Sequence, residues 1–414
     1  MQITKCRICG SPNIKKFLDV GNQPWGNDFL PEPGKAEKYP LELYFCEDCT
    51  LVQLGYTVPK EKMFVHHSYI SGTTKTLRNH FYSLSDRIIK RFNLTSGDLV
   101  VDIGGNDGAL LQGYSRHNIQ VLNVESGVIQ AKLSLQNKVP VINKFFNERT
   151  ANEILLKEAK RASIISAAGV FFHLEELHSV MRGIKKLLND KGVLVVQFIY
   201  LGDIIEKNSF DNVYHEHLLY YTLKSLSKLF DIYDMKVFDI ERSEIHGGSI
   251  IAYVCHKGAY KVLNSVPEMV EYENKHSYHK FNTYKKFANN VKKVKQELLK
   301  ILNQIKKEGK TIFAYGAPVK GSTLLNFCGI GTKYIDCAVE KNKLKCQKYY
   351  PGVNIPVIFE GFAKRPDYYL ILPWNFLDEF IEKEAQFLDE GGKFIVPIPT
   401  PRIIERRRKN ETGK

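Results

Sequence analysis

Long apolar runs are absent from this 414-residue sequence. No stretch approaches the ~20 apolar residues that a membrane-spanning helix needs, and the first residues lack the apolar core of a signal peptide. Low-complexity segments and short-period repeats are also missing. The composition is 43% hydrophobic and 25% charged, which excludes disorder across the whole chain. We therefore expect a cytoplasmic globular protein of two or three domains.

The sequence has fewer acidic residues than basic ones. It contains 45 Asp and Glu against 59 Lys and Arg, which gives a formal net charge of +14. A basic excess can neutralise nucleic-acid phosphates, or it can be a solvated lysine-rich surface. Much of the excess lies in residues 275–310, which resemble a helix surface, and in residues 402–414, which resemble a frayed end. We favour the second interpretation and expect no nucleic-acid or membrane partner, with a monomer or a weak homodimer as the assembly. The remaining charge suits an acidic small substrate.

Four of the eight cysteines form two Cys-x-x-Cys pairs, Cys6 with Cys9 and Cys46 with Cys49. A reducing compartment argues against a disulfide framework. Two such pairs on tight turns offer four thiolates in the tetrahedral arrangement that Zn²⁺ prefers, although chance clustering or a redox pair remain alternatives. Since the protein would fill every coordination position, we predict a structural Zn²⁺ that stabilises a segment with few core residues.

Short apolar strands alternate with helical patterns over most of the remaining chain, which indicates an α/β protein with parallel sheets. The run at 99–103 leads directly into a glycine loop and a helix, and further strands are predicted at 121–124, 163–166 and 192–197. A similar strand, turn and helix recur from residue 311 after a long amphipathic helix at 281–307. The chain therefore carries two nucleotide-fold signatures.

The first glycine loop spans residues 102–108 and includes Asp102, Gly104, Gly105, Asn106 and Gly108. Glycines let the backbone approach a ligand closely. Glu125 closes the next strand, where a carboxylate can accept hydrogen bonds from both ribose hydroxyls. An acidic residue before the glycines suits a cationic, phosphate-free ligand better than a pyrophosphate. We predict that these six residues bind S-adenosylmethionine, with a NAD-type fold or a ligand-free turn as alternatives.

The second glycine loop, residues 316–321, gives a weaker signal. Pro318 stiffens it, and Lys320 is expected to protrude near a helix N-terminus, an end that favours anions. Lys320 could therefore bind a substrate phosphate or sugar. NAD binding and a plain structural turn stay open as alternatives.

The densest polar cluster outside the cysteines is residues 211–217, which contain Tyr214, His215, Glu216 and His217. Two His and a Glu could bind a metal, but the HExxH helix spacing is absent. The same residues suit proton chemistry beside a ketone, because His titrates near neutrality. A surface loop without a role is the third possibility. His173 follows the strand at 163–166, at the sheet edge where ligands bind.

Together these motifs resemble the S-adenosylmethionine-dependent sugar C-methyltransferases, which act on nucleotide-linked 4-keto-deoxysugars. The resemblance spans nearly the whole chain. It implies a small zinc-binding domain at 1–67, a Rossmann-like class I methyltransferase domain at 68–253, and a second Rossmann-like domain with its preceding helix at 254–414. The motifs that carry it are the four cysteines, residues 71–77, 101–108, 214–217, 246–249 and 315–321, and Leu372-Pro373-Trp374-Asn375.

The resemblance also implies a role for each site residue. His217 is expected to remove the proton on the carbon next to the ketone, with Tyr214 and Glu216 orienting or polarising the sugar and His173 across the site. The resulting enolate attacks the methyl group in line. Substrate contacts are expected from Tyr69, His215 and Lys320. Gly169 departs from the Asn that the family usually has there. O- or N-methylation of a small molecule and nucleic-acid methylation or binding are the alternatives.

Overall fold

The computed structural model describes residues 1–362 and 364–406, apart from the side chains of His246 and Phe362. Most of the predicted frayed tail, from residue 407 on, therefore lies outside the described residues. The chain forms two compact units. The first comprises Met1–Lys16, Tyr44–Asp203 and Glu216–Phe281, and the second comprises Phe17–Leu43, Ile204–His215 and Asn282–Lys414. The boundaries predicted above, 1–67, 68–253 and 254–414, stay a prediction.

The N-terminal part contains three strands and two helices before the first large sheet. Alternate residues of the second strand are buried, as expected for a strand with one face on a core. The fifth element, a helix, buries Leu77, Phe81, Leu84 and Ile88 on one face, as expected for a helix that packs one side against a core. The elements are β1 Ile14–Pro24, β2 Lys38–Cys46, β3 Val52–Leu54, α1 Lys60–Phe64 and α2 Lys75–Phe92.

Next in the chain come the strands and helices of a Rossmann-like sheet, together with one short strand, β9. The strands are β4 Leu99–Ile103, β5 Gln120–Val124, β6 Val141–Ile142, β7 Ala162–Ala168, β8 Leu188–Ile199, β9 Leu219–Tyr220, β10 Met235–Ser243 and β11 Ser249–His256. The helices are α3 Ala109–Ser115, α4 Val128–Gln136, α5 Glu148–Glu158, α6 Leu177–Leu187, α7 Leu201–Glu206, α8 Leu223–Asp231 and α9 Ser265–Lys275.

Within the described residues, this first large sheet has seven strands in the order β10-β11-β8-β7-β4-β5-β6. The strands from β8 to β6 run parallel, and β11 pairs antiparallel with both β10 and β8. Every residue of β4 is buried, as expected for a strand covered on both faces. The short strand β9 instead pairs antiparallel with β3, with Val52 opposite Tyr220.

The C-terminal strands and helices form a second Rossmann-like fold around one sheet. They are α10 Phe281–Lys307, β12 Ile312–Tyr315, α11 Val319–Cys328, β13 Ala338–Glu340, β14 Lys348–Tyr349, β15 Pro356–Phe359, β16 Tyr368–Ile371, α12 Leu377–Lys383, α13 Ala385–Asp389, β17 Lys393–Val396 and β18 Arg402–Ile404. The strand order in the described part of the chain is β14-β15-β13-β12-β16-β17-β18, parallel except at the two edges.

These two sheets confirm the predicted α/β class with two Rossmann-like folds. The lysine-rich helix α10 buries one stripe that includes Tyr284, Val291 and Leu298 and exposes most of its lysines, in line with the helix-surface interpretation of residues 275–310. Among the residues that the structure describes, no helix combines the length and the apolar character that crossing a membrane would require. Short 3-10 turns occur at Ser71–Thr73, Phe171–His173, Phe210–Asn212, Ile245–Gly247, Glu360–Phe362 and Trp374–Phe376.

Candidate active site

The two Cys-x-x-Cys pairs meet as one cluster in which all four sulfur atoms lie within 4.8 Å of one another. Cys6 Sγ is 3.4 Å from Cys49 Sγ, and Cys9 Sγ is 3.6 Å from Cys46 Sγ. Zn–S bonds of about 2.3 Å in a tetrahedron place sulfur atoms about 3.8 Å apart, so the cluster fits Zn²⁺ closely. We expect elemental analysis to find about one zinc per chain.

The two cysteine turns have the same backbone geometry. Gly10 N donates to Cys6 O at 3.0 Å, and Thr50 N donates to Cys46 O at 2.9 Å. Both donors adopt a left-handed conformation, with φ of 72° at Gly10 and 64° at Thr50. Glycine adopts this conformation without strain, whereas Thr50 is held in it by the turn. The repeated turn explains how two distant pairs present their thiols in one arrangement.

The first glycine loop connects β4 to α3, as predicted. Gly104 has a φ of 65° and donates from its N to Val124 O at 2.8 Å, and Gly108 has a φ of 80° immediately before α3. Gly105 N donates to Asn123 Oδ1 at 3.1 Å. A side chain at Gly104 would meet Val170, whose Cγ2 would lie 2.7 Å from the added Cβ. Glycine is therefore required at 104 by conformation and by close approach.

Asp102 lies buried beneath this loop at the end of β4. Its Oδ1 accepts a hydrogen bond of 2.6 Å from Ser166 Oγ on the neighbouring strand β7. Burial raises the pKa of Asp102 to about 7, and the nearby Glu125 carboxyl adds to the increase. A carboxyl group with such a pKa gains charge readily when a cation comes close, which suits the cationic ligand predicted for this loop.

Glu125 follows β5 and is also buried. Its Oε2 accepts from Asn106 N at 2.8 Å and its Oε1 accepts from Gly127 N at 2.6 Å. Burial raises the pKa of Glu125 despite these bonds. Each carboxylate oxygen has two acceptor positions, so both oxygens retain capacity for a hydroxyl donor such as a ribose. The six predicted cofactor residues are thus brought together, although their role remains a prediction.

A segment preceding α2, residues 65–73, is hydrogen-bonded to this loop. Ser71 N donates to Asn106 Oδ1 at 3.0 Å, and Gly72 N donates to Asp107 Oδ2 at 3.1 Å. The carbonyl of Tyr69 accepts from Asn106 Nδ2 and from Gln130 Nε2. The predicted substrate residue Tyr69 therefore contacts the loop through its backbone, while 48% of the residue is exposed.

The predicted residues His173 and His217 lie together in a stack of three rings. The His173 and His217 rings are 5.2 Å apart at 22°, and Phe64 stacks on His173 at 5.2 Å and 25°. The Phe172 ring meets the edge of His217 at 4.6 Å. His217 is 3% exposed, so its imidazole is shielded from bulk water. The stack restricts the planes of both imidazoles.

This histidine pair is connected to the glycine loop through residues 169–173. Val170 contacts Gly104 directly, and His173 N donates to Val170 O at 2.8 Å in the turn that carries the imidazole. Gly169 begins this connection with a φ of 81°, and a Cβ there would meet nothing within 4 Å. The proposed cofactor loop and the first histidine therefore share one contact network at the carboxyl edge of the first sheet.

The other predicted residues of the segment 214–217 belong to different compact units, because the boundary between the two units falls after His215. In the second unit, His215 Nε2 donates to Tyr39 O at 3.3 Å, and burial lowers the pKa of His215 to about 4. Tyr214 is half-buried there, whereas Glu216 is buried in the first unit. His215 is therefore a neutral residue at physiological pH and is poorly suited to proton transfer.

Lys320 lies in the first turn of α11, as predicted, but its side chain does not protrude and is only 13% exposed. It donates to Asn375 Oδ1 and lies 4.5 Å from the centre of the Trp374 ring. The expectation that it protrudes is wrong because residues distant in sequence enclose it. Its predicted substrate contact remains untested.

Sequence reasoning missed several residues that shape the first loop. Asn123 is fully buried, accepts from Gly105 N and donates to Asn106 O at 3.0 Å. Ser166 bonds Asp102, and Gln130 bonds the backbone of residues 67 and 69. One signal was available in the sequence, because Asn123 is a polar residue inside an otherwise apolar strand.

Comparisons with known proteins agree with this architecture. Family models match a zinc binding domain at residues 6–64, a methyltransferase domain at 77–239 and a C-methyltransferase C-terminal domain at 244–399. The C-methyltransferase NovU of Streptomyces niveus is 32% identical over 408 residues, which cover 97% of each chain. This chain belongs to the C-methyltransferase family. It is accordingly an S-adenosylmethionine-dependent methyltransferase with an N-terminal zinc-binding cysteine cluster.

Solved methyltransferase structures match part of this C-methyltransferase. Magnesium protoporphyrin IX methyltransferase from Synechocystis PCC 6803, with bound S-adenosylmethionine, is 12% identical with a TM-score of 0.33 and covers 44% of this chain and 79% of its own. The CcbJ methyltransferase from Streptomyces caelestis is 13% identical with a TM-score of 0.32 and covers 43% of this chain and 90% of its own.

Proposed function

We propose that this C-methyltransferase acts on a nucleoside-diphosphate-linked keto-deoxysugar and forms an enolate next to the ketone. The observation that supports this most strongly is the stack of the half-buried His173 on the buried His217, joined to the glycine loop through Val170. A C-methyltransferase must make a carbon nucleophile, and an imidazole shielded from water is a suitable base for a carbon acid.

In this proposal His217 removes the proton on the carbon next to the ketone. Tyr214 and Glu216 orient or polarise the sugar, and His173 supports the developing oxyanion as a hydrogen-bond donor. The contact of His173 with Phe64 and His217 restricts its ring to one orientation. Holding reacting groups in one geometry supplies a large part of the rate in such a transfer.

Asp102, Glu125 and the backbone of residues 104–108 are the groups that would hold S-adenosylmethionine. The raised pKa of Asp102 fits a carboxyl that ionises against a cationic ligand. S-adenosylmethionine supplies the activated methyl group to which the nucleophilic carbon bonds. The chain's own contribution is to exclude water at His217 and to keep the base in place.

The remaining parts of the proposal follow from the same chemistry. Tyr69 and His215 are proposed to contribute to substrate binding. A monomer or weak homodimer is proposed, with no nucleic acid or membrane as partner. A cytoplasmic location is also proposed, because the eight cysteines, which all lie within the described residues, form no disulfide bond.

Product analysis tests this function against methylation at oxygen or nitrogen. The enzyme is incubated with a panel of nucleotide-linked 4-ketosugars and ¹³C-methyl S-adenosylmethionine, and the products are examined by NMR. We expect a methyl group bonded to carbon, and we expect His217→Ala to abolish its formation while cofactor affinity stays near normal. His117→Asn, an exposed histidine paired with Asp86, is the matched control. A product methylated on oxygen or nitrogen would refute the proposal.

A further inference from the structure

Three separate sequence motifs meet in one buried cluster of the second compact unit. Asp211 begins the polar string at 211–217, Lys320 belongs to the second glycine loop, and Trp374 and Asn375 belong to the 372–375 motif. Trp374 Nε1 donates to Asp211 Oδ2 at 2.7 Å, and Lys320 Nζ lies 4.0 Å from the same oxygen. Lys320 also donates to Asn375 Oδ1. The function proposed above assigns no step to any of these four residues.

The cluster is part of a longer contact between α11 and the turn Phe210–Asn212. Thr323 Oγ1 donates to Val213 O at 2.8 Å, and the Phe327 ring meets Phe210 at 5.3 Å. Lys320, Thr323 and Phe327 are spaced by three and four residues and therefore share one face of the helix. This face holds the chain at three successive points just before Tyr214.

The buried charges in this cluster are costly to maintain. Asp211 is 1% exposed, and its Oδ1 has no hydrogen-bond partner. Burial raises the pKa of Asp211 and lowers the pKa of Lys320, and the charge of each group opposes the shift of the other. Apolar residues of similar volume are often as stable as a buried ion pair. A role in fixing one conformation accounts for this pair better than a role in stability.

We propose that Asp211 and Lys320 are positioning residues that fix the chain leading into Tyr214-His215-Glu216-His217. The inference rests on the proposed function for its catalytic consequence, because that function assigns proton chemistry to this string. It also gives Lys320 a different role from direct contact with the substrate. His217 lies six residues after Asp211 in the sequence, so loss of the anchor displaces the segment that carries the base.

Hydrogen exchange measured by mass spectrometry tests the anchor without any substrate. The variants are Asp211→Asn, Lys320→Met and the double variant, with Lys306→Met as the control. Lys306 Nζ lies 3.9 Å from Asp336 Oδ2, a spacing like that of Lys320 and Asp211, and does not form part of the cluster. We expect amides in the peptide covering residues 208–217 to exchange about tenfold faster in both single variants, and at the wild-type rate in the control. Unchanged exchange in both single variants would overturn the inference.

Steady-state kinetics separates positioning from substrate contact. A misplacement of about 1 Å costs roughly a hundredfold in rate, so we expect both single variants to lower kcat by about tenfold or more while KM changes less than about threefold. The double variant should be no worse than either single one, because the two residues act as one unit. If Lys320→Met instead raises KM and the dissociation constant of a nucleoside diphosphate while Asp211→Asn does not, Lys320 contacts the substrate and the inference fails.

The two proposals fail in different ways. If wild-type enzyme methylates no ketosugar at carbon, the proposed function fails, while hydrogen exchange still decides whether the anchor exists. If wild-type enzyme is active and the exchange of residues 208–217 is insensitive to Asp211→Asn and Lys320→Met, the anchor alone is refuted.

Discussion

The glycine loop after β4 and the glycine loop after β12 share the same backbone plan. Gly104 and Gly316 both have a positive φ, of 65° and 77°, and each donates a 2.8 Å hydrogen bond to a valine of the adjacent strand. An acidic residue follows that valine in each case, Glu125 after Val124 and Glu340 after Val339. The two Rossmann-like folds therefore have the same local backbone arrangement at these glycine loops.

What fills the two loops differs. Counting back from the first glycine, the buried Asp102 corresponds to Ala314, and Pro318 stands in place of Asn106. Glu340 accepts from Ala317 N through Oε2 and from Lys341 N and Asn342 N through Oε1. Lys345 Nζ also donates to Ala317 O at 2.8 Å. The second loop is thus closed by its own neighbours, and a glycine turn alone does not make a cofactor site.

Alanine at the first glycine of each loop should produce the largest difference. Gly104→Ala forces a residue with a Cβ into a left-handed conformation and against Val170, which leads to His173. We expect methyl transfer to fall by roughly a hundredfold or more, because the cofactor loop and the histidine move together. Gly316→Ala carries a similar backbone strain of about 1 kcal/mol and a milder approach to Pro373 Cγ at 3.1 Å, so it should lower the melting temperature while kcat falls far less than in Gly104→Ala. Equal loss of activity in both variants would contradict the comparison.

Neutralising one acidic residue at each glycine loop should produce the second-largest difference between the two loops. Asp102→Asn keeps the size and the contact with Ser166 but cannot ionise, so we expect the dissociation constant for S-adenosylmethionine to rise by roughly thirtyfold, or about 2 kcal/mol. Glu340→Gln should change this constant less than twofold. Calorimetric titration measures both. An unchanged dissociation constant for S-adenosylmethionine in Asp102→Asn would contradict the proposed difference between the two loops.

The pKa of Asp102 predicts a smaller, pH-dependent effect. A cationic ligand favours the ionised carboxyl, so S-adenosylmethionine should bind more tightly as pH rises through about 7, by about tenfold between pH 6 and pH 8. Stability of the ligand-free protein should change in the opposite direction. An unfolded Asp ionises near 3.9, so its raised folded pKa lowers stability between about pH 4 and pH 7, with no further loss above that. Asp102→Asn should flatten the binding profile, and a persistent slope would assign it to another group.

The smallest effect is expected at Gly169. Its φ of 81° is one that Asn tolerates better than most residues, and a Cβ there meets nothing within 4 Å. Gly169→Asn, which introduces the residue usual in the family, should change stability by less than about 0.5 kcal/mol and leave S-adenosylmethionine binding intact. Gly169→Val should cost about 1–2 kcal/mol, because a β-branched residue resists this conformation. Thermal unfolding distinguishes the two, and equal costs would show that the conformation does not matter.

Local features of the fold were predictable from sequence, whereas contacts between distant segments were not. The apolar run of β4 followed by glycines predicts a strand, a turn and a helix, because period and glycine content act over a few residues. The stacking of Phe64 on His173 joins residues more than a hundred positions apart, and no periodicity signals it. Lys320 was expected to protrude because its own helix leaves it at a terminus. Asp211, Trp374 and Asn375 enclose it from elsewhere in the chain.

The candidate site shows the same limit. The motif types at 102–108 and 211–217 predict the residues that are proposed to carry the chemistry, since such residues cluster in sequence. The buried partners Asn123, Ser166 and Gln130 were missed, because each acts through hydrogen bonds to residues distant in sequence. Burial also alters chemistry in ways that sequence does not reveal, as the pKa values of about 7 at Asp102 and about 4 at His215 illustrate.

Deuterium wash-in tests the central claim most directly. Wild-type enzyme is incubated in D₂O with nucleotide-linked 4-ketosugars and without S-adenosylmethionine, and NMR follows the protons next to the ketone. The account predicts exchange at one carbon, abolished by His217→Ala and retained by Asp102→Asn, because the base and the cofactor loop act on different steps. Absence of exchange with every 4-ketosugar in an enzyme that still transfers methyl groups, or undiminished exchange in His217→Ala, would contradict it.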